Sequence, residues 1–104
     1  MATVVVTPGI CGLPTRMTLT ADEDQLVTIK LESACPHIQA MQAELAELEG
    51  YTEVVARFSA SAVYAAADKH CKHLACPVPA AIIKGMEVAC GLALPKDVTI
   101  HIEK

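Results

Sequence analysis

Apolar and polar side chains alternate from Arg16 to Ala21, with Met17 and Leu19 against Thr18 and Thr20. They alternate again from Leu26 to Glu32, with Val27, Ile29 and Leu31 against Thr28, Lys30 and Glu32. A strand turns successive side chains to opposite faces, so each run buries one face and wets the other. The acidic stretch Asp22-Glu23-Asp24 joins them, and the whole reads as a β-hairpin. Ahead of it, the β-branched run Thr3 to Thr7 reads as a strand that stops at Pro8-Gly9, a turn signal.

The pattern then changes period. Pro36 suits the first helical position, where its missing N–H is not needed, so Cys35-Pro36 opens a helix. Ile38, Met41, Leu45 and Leu48 form its apolar stripe, and Gly50 is a natural stop. Thr52 to Ala75, rich in Ala and Val, predicts one or two helical pieces, ended or kinked by Pro77 and Pro79. A last helix is expected from about Pro79 to Cys90, closed by Gly91. From Asp97 to Lys104 alternation returns, Val98, Ile100 and Ile102 against Thr99, His101 and Glu103, and predicts a C-terminal strand. The expected fold is α+β over a single domain, residues 1–104: three N-terminal strands including the hairpin, helices packed on one face of the sheet, then a C-terminal strand.

Several function classes are disfavoured by composition. The chain has a formal charge of −4 and no basic run, which argues against nucleic acid, since neutralising phosphate needs clustered Lys or Arg. No apolar run approaches the roughly 20 residues that span a bilayer, so no membrane partner is expected. The N-terminal residues Met1 to Val6 lack a positive region and a long apolar core, so they do not read as a signal peptide, and the expected compartment is cytoplasmic. No Ser-His-Asp set, phosphate loop or paired carboxylate motif points to a conventional enzyme.

Five cysteines are then a high count, because cytosolic thiols stay reduced and an odd number suits a disulfide framework poorly. Metal binding or thiol chemistry is the better expectation. Cys11 sits in a loop beside Gly9 and Gly12, where backbone can approach a ligand closely. Cys35 stands at a strand-to-helix junction, where a thiolate faces the positive end of the helix. His70 and Cys71 are adjacent and cannot share one helical face, and Cys71 is the stronger candidate. Cys76 precedes Pro77-Val78-Pro79 and so lies near a helix N-terminus. Cys90 lies on a stripe with Ile82, Ile83 and Met86 at the far end of that helix, about 16 Å from Pro79 at 1.5 Å per residue, and reads as core. The expected metal ligands are Cys11, Cys35 and Cys71, with His70 or Cys76 as the fourth. Thiolates suit both zinc and iron–sulfur clusters.

The order of these motifs resembles the iron–sulfur cluster assembly scaffolds of the IscU and NifU N-terminal type. Those proteins carry a Cys-Gly before a hairpin, a Cys opening the next helix, and a His-Cys pair at the start of a late helix. The counterparts are Cys11-Gly12, the hairpin 16–32, Cys35 and His70-Cys71, and the stretch His70 to Ala75 is similar to the family's His-Cys-x-x-Leu-Ala. The resemblance covers about residues 3–90. It implies a divergent scaffold or carrier, an iron–sulfur cluster or zinc as cofactor, and cysteine desulfurase or iron–sulfur acceptor proteins as partners. Leu13 stands where the family has an Asp, and Ala65 to Lys69 replaces its chaperone-recognition string. A homodimer sharing ligands is compatible with the sequence. A second reading is a sulfur-carrier or thiol-transfer protein with a persulfide on Cys76, since Cys76-Pro77-Val78-Pro79 is similar to the Cys-Pro-x-Pro of small sulfur-relay proteins. A third is a structural domain with buried thiols that acts through a partner surface.

Overall fold

The two alternating runs pair with each other. The computed structural model describes all residues, Met1 to Lys104. Strands β1 (Ala2–Val6), β2 (Thr15–Ala21) and β3 (Leu26–Ser33) form an antiparallel meander in which Met17 faces Leu31 and Leu19 faces Ile29 across the hairpin. Asp22 closes the turn: its Oδ1 accepts from the N–H of Asp24 (2.8 Å) and of Leu26 (3.0 Å), and Gln25 takes a left-handed φ of 63°.

Helix α1 (Pro36–Leu45) follows, then a short strand β4 (Glu47–Glu49), helix α2 (Gly50–Val54), a 3-10 turn at Phe58–Ala60, α3 (Ala62–His70) and α4 (Val78–Ala89). The sheet order is β1-β2-β3-β4, all antiparallel. The fold is α+β, with the helices on one face. Met17, Leu19, Val27 and Ile29 from the sheet meet Ile38, Met41, Leu45, Val63, Ile82 and Met86 from the helices in one aliphatic core. The other face is polar, with Arg16, Thr20, Thr28, Lys30 and Glu32 in solvent. No helix is long and apolar enough to cross a membrane.

Two expectations fail at the edges of the sheet. Leu48 continues the spacing of the α1 stripe, but it lies in β4, paired with Val27. The helix ends at Leu45, and the carbonyl of Ala46 accepts the Ile29 N–H (2.9 Å). Beyond β4 the free edge of β3 is held by the Gln42 side chain, which accepts from Leu31 N–H (2.6 Å) and donates to the Ile29 carbonyl (2.8 Å).

The second failure is the C-terminal strand. Residues 97–104 form no strand; from Leu94 onward no backbone group is hydrogen bonded within the chain. Alternation makes a segment suitable for a sheet but does not supply an edge to pair with, and this segment reaches neither β1 nor β4.

Gly50 is not a helix stop. It begins α2, and a Cβ there would stand 2.5 Å from Cys90 Sγ, 2.8 Å from Val27 Cγ2 and 3.0 Å from the Gln25 carbonyl. Glycine is needed for close approach. Gly50→Ala should therefore destabilise the fold by about 1–3 kcal/mol through overpacking, read as a lower urea midpoint at unchanged m-value. An unchanged midpoint would mean that this contact is loose.

Candidate functional site: a thiol cluster at one end of the sheet

The direction of α4 decides which cysteines meet. Its C-terminal end lies at the hairpin turn, where Gln25 Nε2 donates to the Cys90 carbonyl (3.0 Å) and Cys90 packs against Gly50. Midway, Gly85 rests on Leu19 and Val4. The helix rises about 18 Å over its length at 1.5 Å per residue, so its N-terminus reaches the opposite end of the sheet. There the β1–β2 loop and the β3–α1 junction also lie, tied together by Ala34 N–H donating to the Pro14 carbonyl (3.2 Å).

Cys76 and Cys35 are therefore carried to the same end. Cys35 has the extended backbone of a helix N-cap (φ −84°, ψ 119°), its carbonyl accepts the Gln39 N–H (3.0 Å), and its own N–H donates to Ser33 Oγ (3.1 Å). Cys76 precedes the cap of α4, and the Val78 N–H points to its sulfur. Cys71 caps the C-terminus of α3, its N–H donating to the Ala67 carbonyl (2.8 Å). The segment from Cys71 to Cys76 folds around the His73 carbonyl, which accepts from Cys76 N–H (3.1 Å) and, weakly, from the Cys71 thiol (3.7 Å).

Cys35, Cys71 and Cys76 are all half-buried against the core. Burial pushes the Cys76 thiol above its usual range; the Val78 N–H opposes this, while the neighbouring Cys71 and Cys35 thiols raise it further. Three thiols, Cys35 and the closely spaced Cys71 and Cys76, thus share one environment. No three His, Cys, Asp or Glu side chains yet form a group that could hold a metal ion.

The other expected residues stand apart. Cys11 is exposed in the turn Gly9 to Gly12, at the same end of the sheet but outside the cluster. His70 ends α3 rather than starting a helix, and its Nε2–H donates to Glu44 Oε2 on α1 (2.7 Å). Lys69 binds the other oxygen of Glu44 (2.9 Å), and these two contacts, Lys69 first, hold the Glu44 carboxyl below its ordinary range. Cys90 is buried in the core, and desolvation, aided by Glu49, raises its thiol. Glu53, which the sequence did not single out, is buried and caps α3: it accepts from Ser61 Oγ, from Ala62 N–H (2.8 Å) and from Val63 N–H (3.4 Å). The readable signal was Ser61, a helix-capping residue whose Oγ accepts the Tyr64 N–H.

Neither the curated proteins nor the solved structures contain a match to this chain. A family pattern does match it, over residues 2–102, so nearly the whole fold and all five cysteines fall within the matched region. The chain belongs to the family of unknown function DUF6951.

Proposed function

We propose that the protein binds a thiophilic metal ion or an iron–sulfur cluster through Cys35, Cys71 and Cys76. The observation that carries this reading is the convergence of these three thiols, from two helix N-termini and one helix C-terminus, at one end of the sheet. The fit to a metal is chemical: soft sulfur donors select zinc, copper(I) or iron–sulfur clusters over magnesium or calcium. Such a group would supply charge that lets the three crowded thiols be held as thiolates. Cys11, on its loop, and His70 are the candidates for a fourth ligand. The Glu44 carboxylate on His70 Nε2 suits that role, since a carboxylate on one ring nitrogen orients the ring and leaves Nδ1 for a ligand.

The order of Cys11, Cys35 and Cys71 around the hairpin extends this reading to a divergent relative of the IscU and NifU scaffolds. Cysteine desulfurase or iron–sulfur acceptor proteins would then be its partners in the cytoplasm. A second reading is favoured by the Val78 N–H beside Cys76: a persulfide carried at a helix N-terminus, with Cys71 close enough to resolve it. The raised thiol of Cys76 weighs against it, because the thiolate is the attacking form.

Anaerobic purification, visible absorption and assays for iron, zinc, copper and labile sulfide test the two readings together. The metal reading expects near-stoichiometric metal, falling at least tenfold in Cys35→Ser, Cys71→Ser and Cys76→Ser and persisting in Cys90→Ala. A colourless, metal-free protein that cannot be loaded with these metals would sink it, and a persulfide on Cys76 in that protein would establish the second.

A further inference from the structure

Strand β1 is an edge of the sheet, and its outward row of N–H and C=O groups meets nothing in the chain. Exposed edges of this kind are usually blunted by charge, proline or a covering loop; β1, Ala-Thr-Val-Val-Val, has none of these. At the other end of the chain is a segment with complementary needs. Val98, Ile100 and Ile102 are 61%, 73% and 85% exposed, alternate with polar residues so that an extended backbone would put them on one side, and have no backbone hydrogen bonds. Asp97–Glu103 would span about 23 Å and β1 about 17 Å at 3.3 Å per residue, so one covers the other.

The side chains match as well. On its helix-covered face β1 presents Ala2, Val4 and Val6, and Val4 is only half-buried. Gly85 of α4 touches Val4. Ala81 and Val88, four residues before and three after it, lie on the same side of the helix and are also half-buried. A strand laid beside β1 with Val98, Ile100 and Ile102 facing the helices would cover this apolar flank. Its alternate residues, Thr99, His101 and Glu103, would join the polar face of the sheet.

We propose that Asp97–Glu103 of one copy adds as a strand to β1 of a second copy, and reciprocally, so that the protein is a strand-exchanged homodimer. Every copy brings one unpaired segment and one open edge, so two copies satisfy each other. The chain leaves α4 through Gly91 (φ 73°) with the Leu92 N–H fixed to the Glu87 carbonyl (2.8 Å), and every residue from there to the end is exposed, with no backbone bond to its own sheet. Strand addition of this kind draws affinity from main-chain hydrogen bonds and specificity from alternate side chains. The proposal is independent of the thiol site.

The test uses full-length protein in reductant, which removes disulfide dimers. Sedimentation equilibrium should give a dimer. Hydrogen exchange should show protected amides in both Ala2–Val6 and Asp97–Glu103. In a mixture of labelled and unlabelled protein, isotope-filtered NOEs should link Ile100 of one copy to Val4 of the other. Ile100→Pro removes a ladder N–H where no native intrachain contact exists, and should weaken dimerisation about a hundredfold while the core keeps its circular dichroism and Tm. A monomer at all concentrations, a dimer with unprotected tail amides, a protected tail within a monomer, or a dimer unaffected by Ile100→Pro would each overturn the proposal.

Discussion

Leu19→Ala should lower stability by about 3–4 kcal/mol, and Gly85→Ala, harmful alone, should recover part of that loss. Leu19 is fully buried in β2 and forms the floor on which α4 rests. Truncating it removes the transfer energy of its methyl groups and leaves a cavity, a pair of effects that together amount to about 2–5 kcal/mol for buried leucines. A Cβ at position 85 would stand 2.7 Å from Leu19 Cδ1 and 2.9 Å from Val4 Cγ2, so Gly85→Ala by itself should destabilise by about 1–2 kcal/mol through overpacking. When Leu19 is truncated the tighter of these clashes disappears. The new methyl then fills vacated space, and alanine regains about 1 kcal/mol of helix propensity over glycine. Urea unfolding of the two single variants and the double variant closes the cycle. If the two losses simply add, α4 does not seat on Leu19.

Glu53→Ala should cost about 3 kcal/mol, whereas Glu53→Gln should cost about 1 kcal/mol. The carboxylate is buried and gathers three donors at the start of α3: the Ser61 hydroxyl and the N–H groups of Ala62 and Val63. Hydrogen bonds to a charged acceptor contribute about 1.5–3 kcal/mol, and donors left unmade inside a fold carry their full desolvation penalty. Alanine leaves both amides without an acceptor; glutamine keeps one oxygen in place. Chemical denaturation measures both variants. Equal losses would show that the space filled by the side chain matters, not its oxygens. Because α3 ends in His70 and Cys71, Glu53→Ala should also loosen that end of the thiol cluster, visible as faster alkylation of Cys71.

Features with local causes were legible in the chain. The hairpin follows from strict alternation on either side of Asp22, the start of α1 follows from Cys35-Pro36, and the last helix, expected from about Pro79, begins at Val78. Cys90 could be placed in the core because it continues the stripe of Ile82 and Met86. Features with distant causes were not legible. Leu48 satisfies helical spacing from Ile38, and it joins the sheet because β3 draws the chain out of the helix at Ala46. Glu53 lies in an Ala- and Val-rich run, and its donors come from the next helix. The meeting of Cys35 and Cys76 depends on the direction in which α4 crosses the sheet, which no short motif encodes. Cys11 showed the reverse case: its neighbours mark a loop, but nothing local decides whether the loop folds inward.

The amide of Gln42 has a consequence for the behaviour of many copies together. It occupies the N–H of Leu31 and the carbonyl of Ile29 where β4 runs out, so on that side of the sheet the three residues of β4 are the open edge and these two groups of β3 are already taken. A sheet that can be extended from both sides can stack into a row without end, as fibrils do. Here the two sides are unequal: β1 offers five residues and β4 only three. Direct edge-to-edge contact between two molecules through β1 therefore uses up the longer edge of each and leaves only the short β4 edges for further growth.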